Sequence, residues 1–439
     1  MSGTELLGLV MLGCLLIGIF GGFPISFTLL FLAIGFGYAG IGDKVFYLIV
    51  SRAFTLMKDE TMAAVPLFIF MGHMLEESGL MARLFKSFQF MLARMKGSLY
   101  LGVILTCTLF AAATGIIGAA TTVIGLLAAP AMTKSGYSPS LSAGAIAAGG
   151  CLGILIPPSV MLVVMGPVLG VSVIHLFAAA LIPGLILSLM FIGYTLVRCQ
   201  INPELGPPLP PELRPESTRA IFKELISGVI PLGFVMFASL GSIIAGLATP
   251  TEAAAMGAGG ALLLTIIYKR FSLRLLKAST LSTLRTTSLI LFLVVASTQY
   301  GAVFTVLGTG SMLVKTMMGL PVSPMVLLAI LMVVIFLLGW PLEWPAILFI
   351  FVPIFLPVII KLNFDLVWFG TLLAVNLQTA FLSPPVAMSA YYLKAVAPEW
   401  SLADIYIGMM QFMVLQFVGL MLVFFLPQIA LWLPGVLYG

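Results

Sequence analysis

Charge is what this 439-residue chain has least of: Asp, Glu, Lys and Arg make up 8% of it, against 61% hydrophobic residues. Soluble chains carry roughly 25% charged residues, so a soluble fold is excluded. Histidine is nearly missing too. His73 and His175 stand alone, no HExxH occurs, and enzyme chemistry of the soluble kind has almost nothing to work with. No GxxxxGK[ST] is present, so the chain does not itself hydrolyse ATP through a P-loop. No acidic pair is spaced like a prenyl-diphosphate site. Cys14, Cys107, Cys151 and Cys199 lie in or beside apolar stretches without metal-ligand spacing, and read as buried thiols. The net charge of +5 reads as cytoplasmic loop charge; with no basic patch interleaved with aromatics, nucleic acid is excluded as a partner. The first helix lacks a basic start and a small-residue cleavage site, and is expected to be retained.

What the chain does have is apolar runs long enough to cross a lipid bilayer, from end to end. Spans are expected near residues 5–21, 24–41, 62–82, 140–166 and 175–197, then 226–247, 251–268, 286–306, 367–395 and 404–433. Residues 198–224 form the one strongly polar stretch, and their proline density predicts a solvated linker. That linker separates a first half, residues 1–197, from a second, residues 225–439.

The halves carry one pattern twice, 227 residues apart: Pro130 to Ser159 and Pro357 to Val386. Pro130 matches Pro357, Lys134 matches Lys361, and Pro157-Pro158 matches Pro384-Pro385. Paired apolar helices broken at matching depth point to a transporter with an internal repeat. Two further segments, about 100–133 and 325–360, are too long for one span and break in the middle. The breaks fall at Thr114-Gly115-Ile116-Ile117-Gly118 and at Gly339-Trp340-Pro341-Leu342-Glu343-Trp344-Pro345, and they coincide under the same interval. Both segments read as re-entrant hairpins, whose irregular tips survive at membrane depth only in protein or beside a wet cavity.

Charge tests this topology. Arg83, Lys86, Arg94 and Lys96 form one cluster; Arg198, Arg214, Arg219 and Lys223 a second; Lys269, Arg270, Arg274, Lys277 and Arg285 a third. The expected spans put all three on one side, the cytoplasmic side by the positive-inside rule. The hairpins then enter from opposite faces, and the repeats are inverted. The fold class is thus an all-α polytopic membrane protein of two inverted repeats, with about ten spanning helices plus two re-entrant hairpins.

Within this frame a few residues carry chemistry. Proline inside a helix removes a donor, costs about 3 kcal/mol or more, and frees carbonyl oxygens that Na⁺ coordination needs. Gly115, Gly118 and Gly153 sit where backbone must approach an ion, while Gly149 serves helix packing. Asn376, Gln378 and Ser383 precede the second Pro-Pro and either bond between helices or touch substrate or ion. Glu343 is one of few acids at membrane depth. It is a functional candidate, or it folds back onto orphan N–H groups of the hairpin tip, the role expected of it. Thr249, Pro250 and Glu252 form a helix-capping box that needs no ligand.

Several of these segments resemble the large membrane subunit of the TRAP (tripartite ATP-independent periplasmic) transporters, over nearly the whole chain. The most specific are ATPTEAAAMGA (248–258), LGILIPPS (152–159), KSGY (134–137) and NLQTAFLSPPV (376–386), with weaker support from LFAAALIPG (176–184) and PLFIFMG (66–72). The resemblance implies a secondary transporter of a bacterial inner membrane. Its partners would be a small four-helix membrane subunit and a periplasmic binding protein, and its cargo a small organic anion. It also implies Na⁺ as coupling ion, no other cofactor, and an elevator motion of a transport part against a scaffold. Carried over by position, one Na⁺ site joins the tip at Thr114, Gly115 and Gly118 to Gly153 and Pro157. The other joins Gly339 to Ala380, Ser383 and Pro384. Ser159, Asn376, Gln378 and Glu343 are the candidate substrate contacts. Two departures stand out: the family's Ser-rich first tip, resembling SGSSVAT, is here nearly free of hydroxyls, and GWPLEWP replaces a tip resembling GxFLDP. The variant resembles a subgroup linked to 2-oxo acids or other monocarboxylates.

Rival readings are weaker. A channel needs a continuous polar pore, and two dead-end hairpins offer none. A membrane enzyme needs a titratable constellation, and neither histidine has an obvious partner. A stand-alone antiporter or carboxylate transporter of the same architecture remains the nearest alternative.

Overall fold

A computed structural model describes residues 2–114, 117–215, 217–384 and 387–439. Helix follows helix throughout, as bilayer-spanning backbone requires when water cannot satisfy its polar groups. Among the described residues, eight helices have the length and apolarity to cross a membrane. The expected hairpins form: Ser98–Thr114 returns as Ile117–Lys134, and Pro324–Leu338 returns through Trp344–Ala346 to Val352–Lys361. Both expected broken helices form too, as Pro139–Cys151 with Val160–Leu169, and Leu366–Leu382 with Met388–Val396.

Element boundaries recur at the 227-residue interval. Ile25–Ile41 corresponds to Pro250–Ile267, Ala64–Glu77 to the outer part of Leu273–Val306, and Val173–Ile201 to Leu402–Phe425. Packing recurs as well: Ala64–Glu77 lies along Pro250–Ile267, and Ile25–Ile41 lies along Leu273–Val306. Thr251 at the start of Pro250–Ile267 donates its hydroxyl to Glu60 O at 2.9 Å, and Thr265 donates to Met74 O at 3.3 Å.

The basic clusters do converge on one end. Lys86 pairs with Glu224 at 2.8 Å, the Arg83 guanidinium lies 4.6 Å from the Tyr268 ring centroid, and Arg270 approaches Gly79. From that end Leu273–Val306 runs about 50 Å, at 1.5 Å per residue, to the opposite face. There Gln299 Nε2 donates to Ile49 O, and Thr309 Oγ1 donates to Glu5 O.

Four expectations need revision. The span near 62–82 is two helices, Ala64–Glu77 and Leu80–Met91, which turn at Gly79 (φ 73°), a left-handed position that favours glycine. The span near 404–433 stops at Phe425 and resumes at Gln428, after Pro427. Lys44–Met57, which none of the expected spans covers, is an amphipathic helix with Tyr47 and Met57 exposed and Val45 buried. The linker is shorter than expected, since helix runs to Ile201 and restarts at Thr218, and it is solvated only in part: Asn202, Glu204 and Glu212 are exposed while its middle is clamped. Leu209 is buried and its N–H donates to Ala93 O; Gly97 N–H donates to Gly206 O; Tyr100 Oη donates to Leu205 O at 2.5 Å. Prolines prevent helix there, and loop backbone bonds take its place.

Candidate functional site

The first break is made by local hydrogen bonding. Pro139–Cys151 tightens into one 3₁₀ turn, Leu152–Ile154, and the chain then passes Pro157 and Pro158 through a cis peptide. Ser159 Oγ donates to Ile154 O at 2.5 Å and accepts from Leu162 N–H at 3.5 Å, closing the break and starting Val160–Leu169. Its hydroxyl is therefore engaged within the break. Gly153, Pro157 and Ser159 are all buried.

The second break is less closed. Leu366–Leu382 ends with Ser383 N–H donating to Thr379 O at 2.9 Å, and Ala387 N–H reaches back to Ser383 O at 3.2 Å. Ser383 is buried, and its Oγ has no partner among the described residues. Pro384 is half-buried. Pro385, like Gly115 at the first tip, lies outside the described residues.

The breaks touch each other. Gln378 Nε2 donates to Cys151 O at 3.1 Å, and Cys151 Sγ lies 3.6 Å from Ser389 Oγ. Gln378 and Cys151 stand at the repeat interval, so a pseudo-twofold relation between the halves would pass between them. Gln416 Nε2 in turn donates to Gln378 Oε1 at 2.6 Å. Gln378 is thus fully used in joining three helices. Asn376 bonds between helices as well, its Nδ2 donating to Met332 O at 2.8 Å, but its Oδ1 is buried without a partner.

Each tip is seated by a glycine. At Gly339 an added Cβ would fall 2.8 Å from Ala380 Cβ and 3.0 Å from Phe336 O, so Gly339 packs directly on Ala380. Trp340 Nε1 beside it is buried without a partner. At Gly118 an added Cβ would lie 3.1 Å from the Tyr392 ring, in the other half. Thr121 of the first hairpin packs against Gly150 of the first broken helix, as Cys107 packs against Gly149, and its buried Oγ1 has no partner among the described residues. The side chain of Thr114 is not among those described.

Glu343 does not fold back. It stands at the cap position before Trp344, yet its carboxyl accepts no capping hydrogen bond and is exposed. The N–H of Ile347 is served by the Glu343 carbonyl instead, at 3.3 Å. The side chain lines a cavity of about 160 Å³ with Gly118, Phe381 and Tyr392, closed by Ile69 and Thr286 from the surrounding helices. Pockets for drug-sized ligands run about 300–1,000 Å³, so this one suits only a few heavy atoms. Among the described residues its only charged lining residue is an acid, so a bare anion would be repelled there. A second cavity, about 290 Å³, opens at the opposite end from the basic clusters, between Leu273–Val306, Pro167 and Pro353. Arg52 is its one charged lining residue among the described residues, beside Ser297, Thr298 and Thr305.

Sequence reasoning passed over Thr121, Tyr392, Gln416 and Arg52. Gln416 carried a readable signal, as an amide inside an apolar span; the others acquire meaning only through their neighbours. No group of three or more His, Cys, Asp or Glu side chains is arranged to hold a metal ion, among the described residues.

The family described as "Tripartite ATP-independent periplasmic transporter, DctM component" matches residues 12–429. The C4-dicarboxylate TRAP transporter large permease protein DctM of Rhodobacter capsulatus is 28% identical, over 98% of this chain and 99% of the relative. The sialic acid TRAP transporter large permease protein SiaM of Vibrio cholerae is 29% identical, over 96% and 97%. The isethionate TRAP transporter permease protein DctMQ of Oleidesulfovibrio alaskensis is 29% identical over 83% of this chain, which spans 58% of that longer relative. Among solved structures, the YdaH transporter of Alcanivorax borkumensis superposes with a TM-score of 0.67, at 15% identity, covering 95% of this chain and 98% of that one. At that identity the likeness is one of fold alone.

Proposed function

The chain belongs to the DctM component family of the tripartite ATP-independent periplasmic transporters, and from that membership we propose its activity. It is the large membrane subunit of a Na⁺-coupled secondary transporter that imports a small organic acid anion. The cargo is a 2-oxo acid, another monocarboxylate or a C4-dicarboxylate. One observation carries the ion coupling: the buried oxygens of Thr121, Asn376 and Ser383 lie beside the two breaks with no hydrogen-bond partner among the described residues. A buried polar atom left unsatisfied costs about 1–3 kcal/mol, and a cation accepting these lone pairs offsets that cost. Unwound carbonyls at the same breaks complete such a shell. Na⁺ bound there also answers the repulsion that Glu343 presents to an anion.

The architecture is read as two inverted repeats, residues 1–197 and 225–439, joined by the cytoplasmic linker. Recurrence of element boundaries and of helix pairing at one interval supports this. Hairpins and broken helices form the transport part; Ile25–Ile41, Ala64–Glu77, Pro250–Ile267 and Leu273–Val306 form the scaffold of an elevator. With the basic end cytoplasmic, Arg52 faces the periplasm and receives the anion at the outer cavity. The host membrane is the bacterial inner membrane. A small four-helix subunit and a periplasmic binding protein complete the system, as the longer, DctMQ-type relative suggests for the small subunit.

Proteoliposomes holding this chain, its small subunit and its binding protein are expected to accumulate labelled acid only with an inward Na⁺ gradient. Uptake driven by ATP alone would overturn the reading, and Na⁺-driven uptake by this chain without partners would replace it with the stand-alone transporter.

A further inference from the structure

The hydroxyl groups that line the outer cavity are all committed as donors. Ser297 Oγ and Thr298 Oγ1 both donate to Val294 O, at 3.0 and 2.7 Å, and Thr305 Oγ1 donates to Gly301 O at 2.7 Å. A carbonyl oxygen can only accept, so the direction of these bonds is fixed and each hydroxyl keeps only lone pairs for a neighbour. Thr298 and Thr305 are seven residues apart, on one face of Leu273–Val306, with Gly301 between them against Pro353. The facing walls add no side-chain donor: Pro167 and Pro353 lack even an N–H, and Phe349 is apolar. Arg52 is the exception. Its guanidinium carries five N–H donors, is exposed, and has no ion-pair partner among the described residues. The cavity therefore presents a donating cation and a set of oxygens that only accept.

Taking this cavity as the anion's point of entry, we propose that it selects a small 2-hydroxy monocarboxylate over a 2-oxo acid. The carboxylate pairs with Arg52 through charge-assisted hydrogen bonds. The 2-hydroxyl then supplies the donor that the Ser297 and Thr298 oxygens require. A 2-oxo group brings a second acceptor to the same place, and both oxygens lose water without gaining a bond. An acid with no substituent at that carbon forms no bond there and desolvates no oxygen of its own. Donor supply alone thus sets the order hydroxyl, then hydrogen, then oxo. At about 290 Å³ the cavity stands at the small end of ligand pockets, which suits an acid of a few carbons.

Lactate, propionate and pyruvate differ only in carrying a hydroxyl, a hydrogen or an oxo group at the second carbon. Saturation-transfer NMR titrations with this chain and its small subunit in nanodiscs, in Na⁺ and without the binding protein, compare their affinities directly. Lactate is expected to bind about fivefold more tightly than propionate, the worth of one net hydrogen bond, and pyruvate more weakly than propionate. Ser297→Ala with Thr298→Val should bring lactate level with propionate and raise pyruvate toward both, a change of selectivity that a merely structural role would not produce. Thr298→Val alone keeps the shape of the side chain, and it should move the three affinities in the same directions. Arg52→Gln should weaken all three acids alike. Pyruvate binding as tightly as lactate, or the wild-type order persisting in both hydroxyl variants, overturns the 2-hydroxy assignment while leaving the entry site. Wild type that binds none of the acids, or affinities that Arg52→Gln leaves unchanged, overturns the entry site and the assignment with it.

Discussion

At Gly339 one added methyl group decides whether the second hairpin can seat. Neither Ala380 Cβ nor Phe336 O is the end of a flexible side chain, and the 2.8 and 3.0 Å approaches are too close for a Cβ. Gly339→Ala is expected to cost about 1–3 kcal/mol of overpacking, seen as a lower melting temperature and reduced uptake with normal membrane insertion. An unchanged melt would mean that the tip has room the geometry does not provide. Ser383→Ala and Thr121→Val test the unpartnered oxygens: each should raise the Na⁺ concentration for half-maximal uptake several-fold. If both Na⁺ titrations match wild type, these hydroxyls do not hold the ion. Arg52→Gln should raise the apparent KM for the acid and leave the Na⁺ titration alone. The same residues show how far the sequence could be read. The pairing of Gly339 with Ala380 came from the family resemblance, and Ser383 stood out as a polar residue before the second Pro-Pro. Thr121 was not legible, because its importance comes from facing Gly150, and no spacing rule connects residues on different helices.

Elements were more legible than contacts. Both hairpins and both broken helices follow from proline, glycine and apolar run length alone, since each feature acts locally on the backbone. The capping box at Thr249 is the clearest case: Thr249 N–H donates to Glu252 Oε2 at 2.8 Å and Glu252 N–H donates to Thr249 Oγ1 at 3.3 Å, as the sequence predicts. Thr249→Ala should cost about 1 kcal/mol, measurable as lowered stability in detergent, with the KM for the acid unchanged. A shift in KM without loss of stability would give this start a direct part in transport. Lys44–Met57 escaped detection because a short amphipathic helix carries too few consecutive apolar residues to read as a span. The linker misled in another way. Its prolines correctly ruled out helix, but burial of Leu209 and the bonds to Ala93 and Gly97 depend on segments more than a hundred residues away.

For the whole molecule, charge sets what the membrane potential can contribute. One elementary charge crossing 100 mV yields about 2.3 kcal/mol. Two Na⁺ carried with a monoanion move one net charge, so the potential alone supports roughly fiftyfold accumulation. Two Na⁺ with a dianion move none, and only the Na⁺ concentration gradient remains. The small cavity beside Glu343 fits a few heavy atoms and the single Arg52 offers one cation, which together favour a monocarboxylate over a dicarboxylate. Imposing an inside-negative potential with a potassium gradient and valinomycin should therefore stimulate Na⁺-dependent uptake in the complete three-component system. Under the same conditions the accumulated ratio should rise with the imposed potential, at a slope reporting the net charge moved. A flat response would assign a balanced cargo, with two Na⁺ for a dicarboxylate or one for a monocarboxylate. It would leave the ion sites in place while removing the pairing of two Na⁺ with a monocarboxylate.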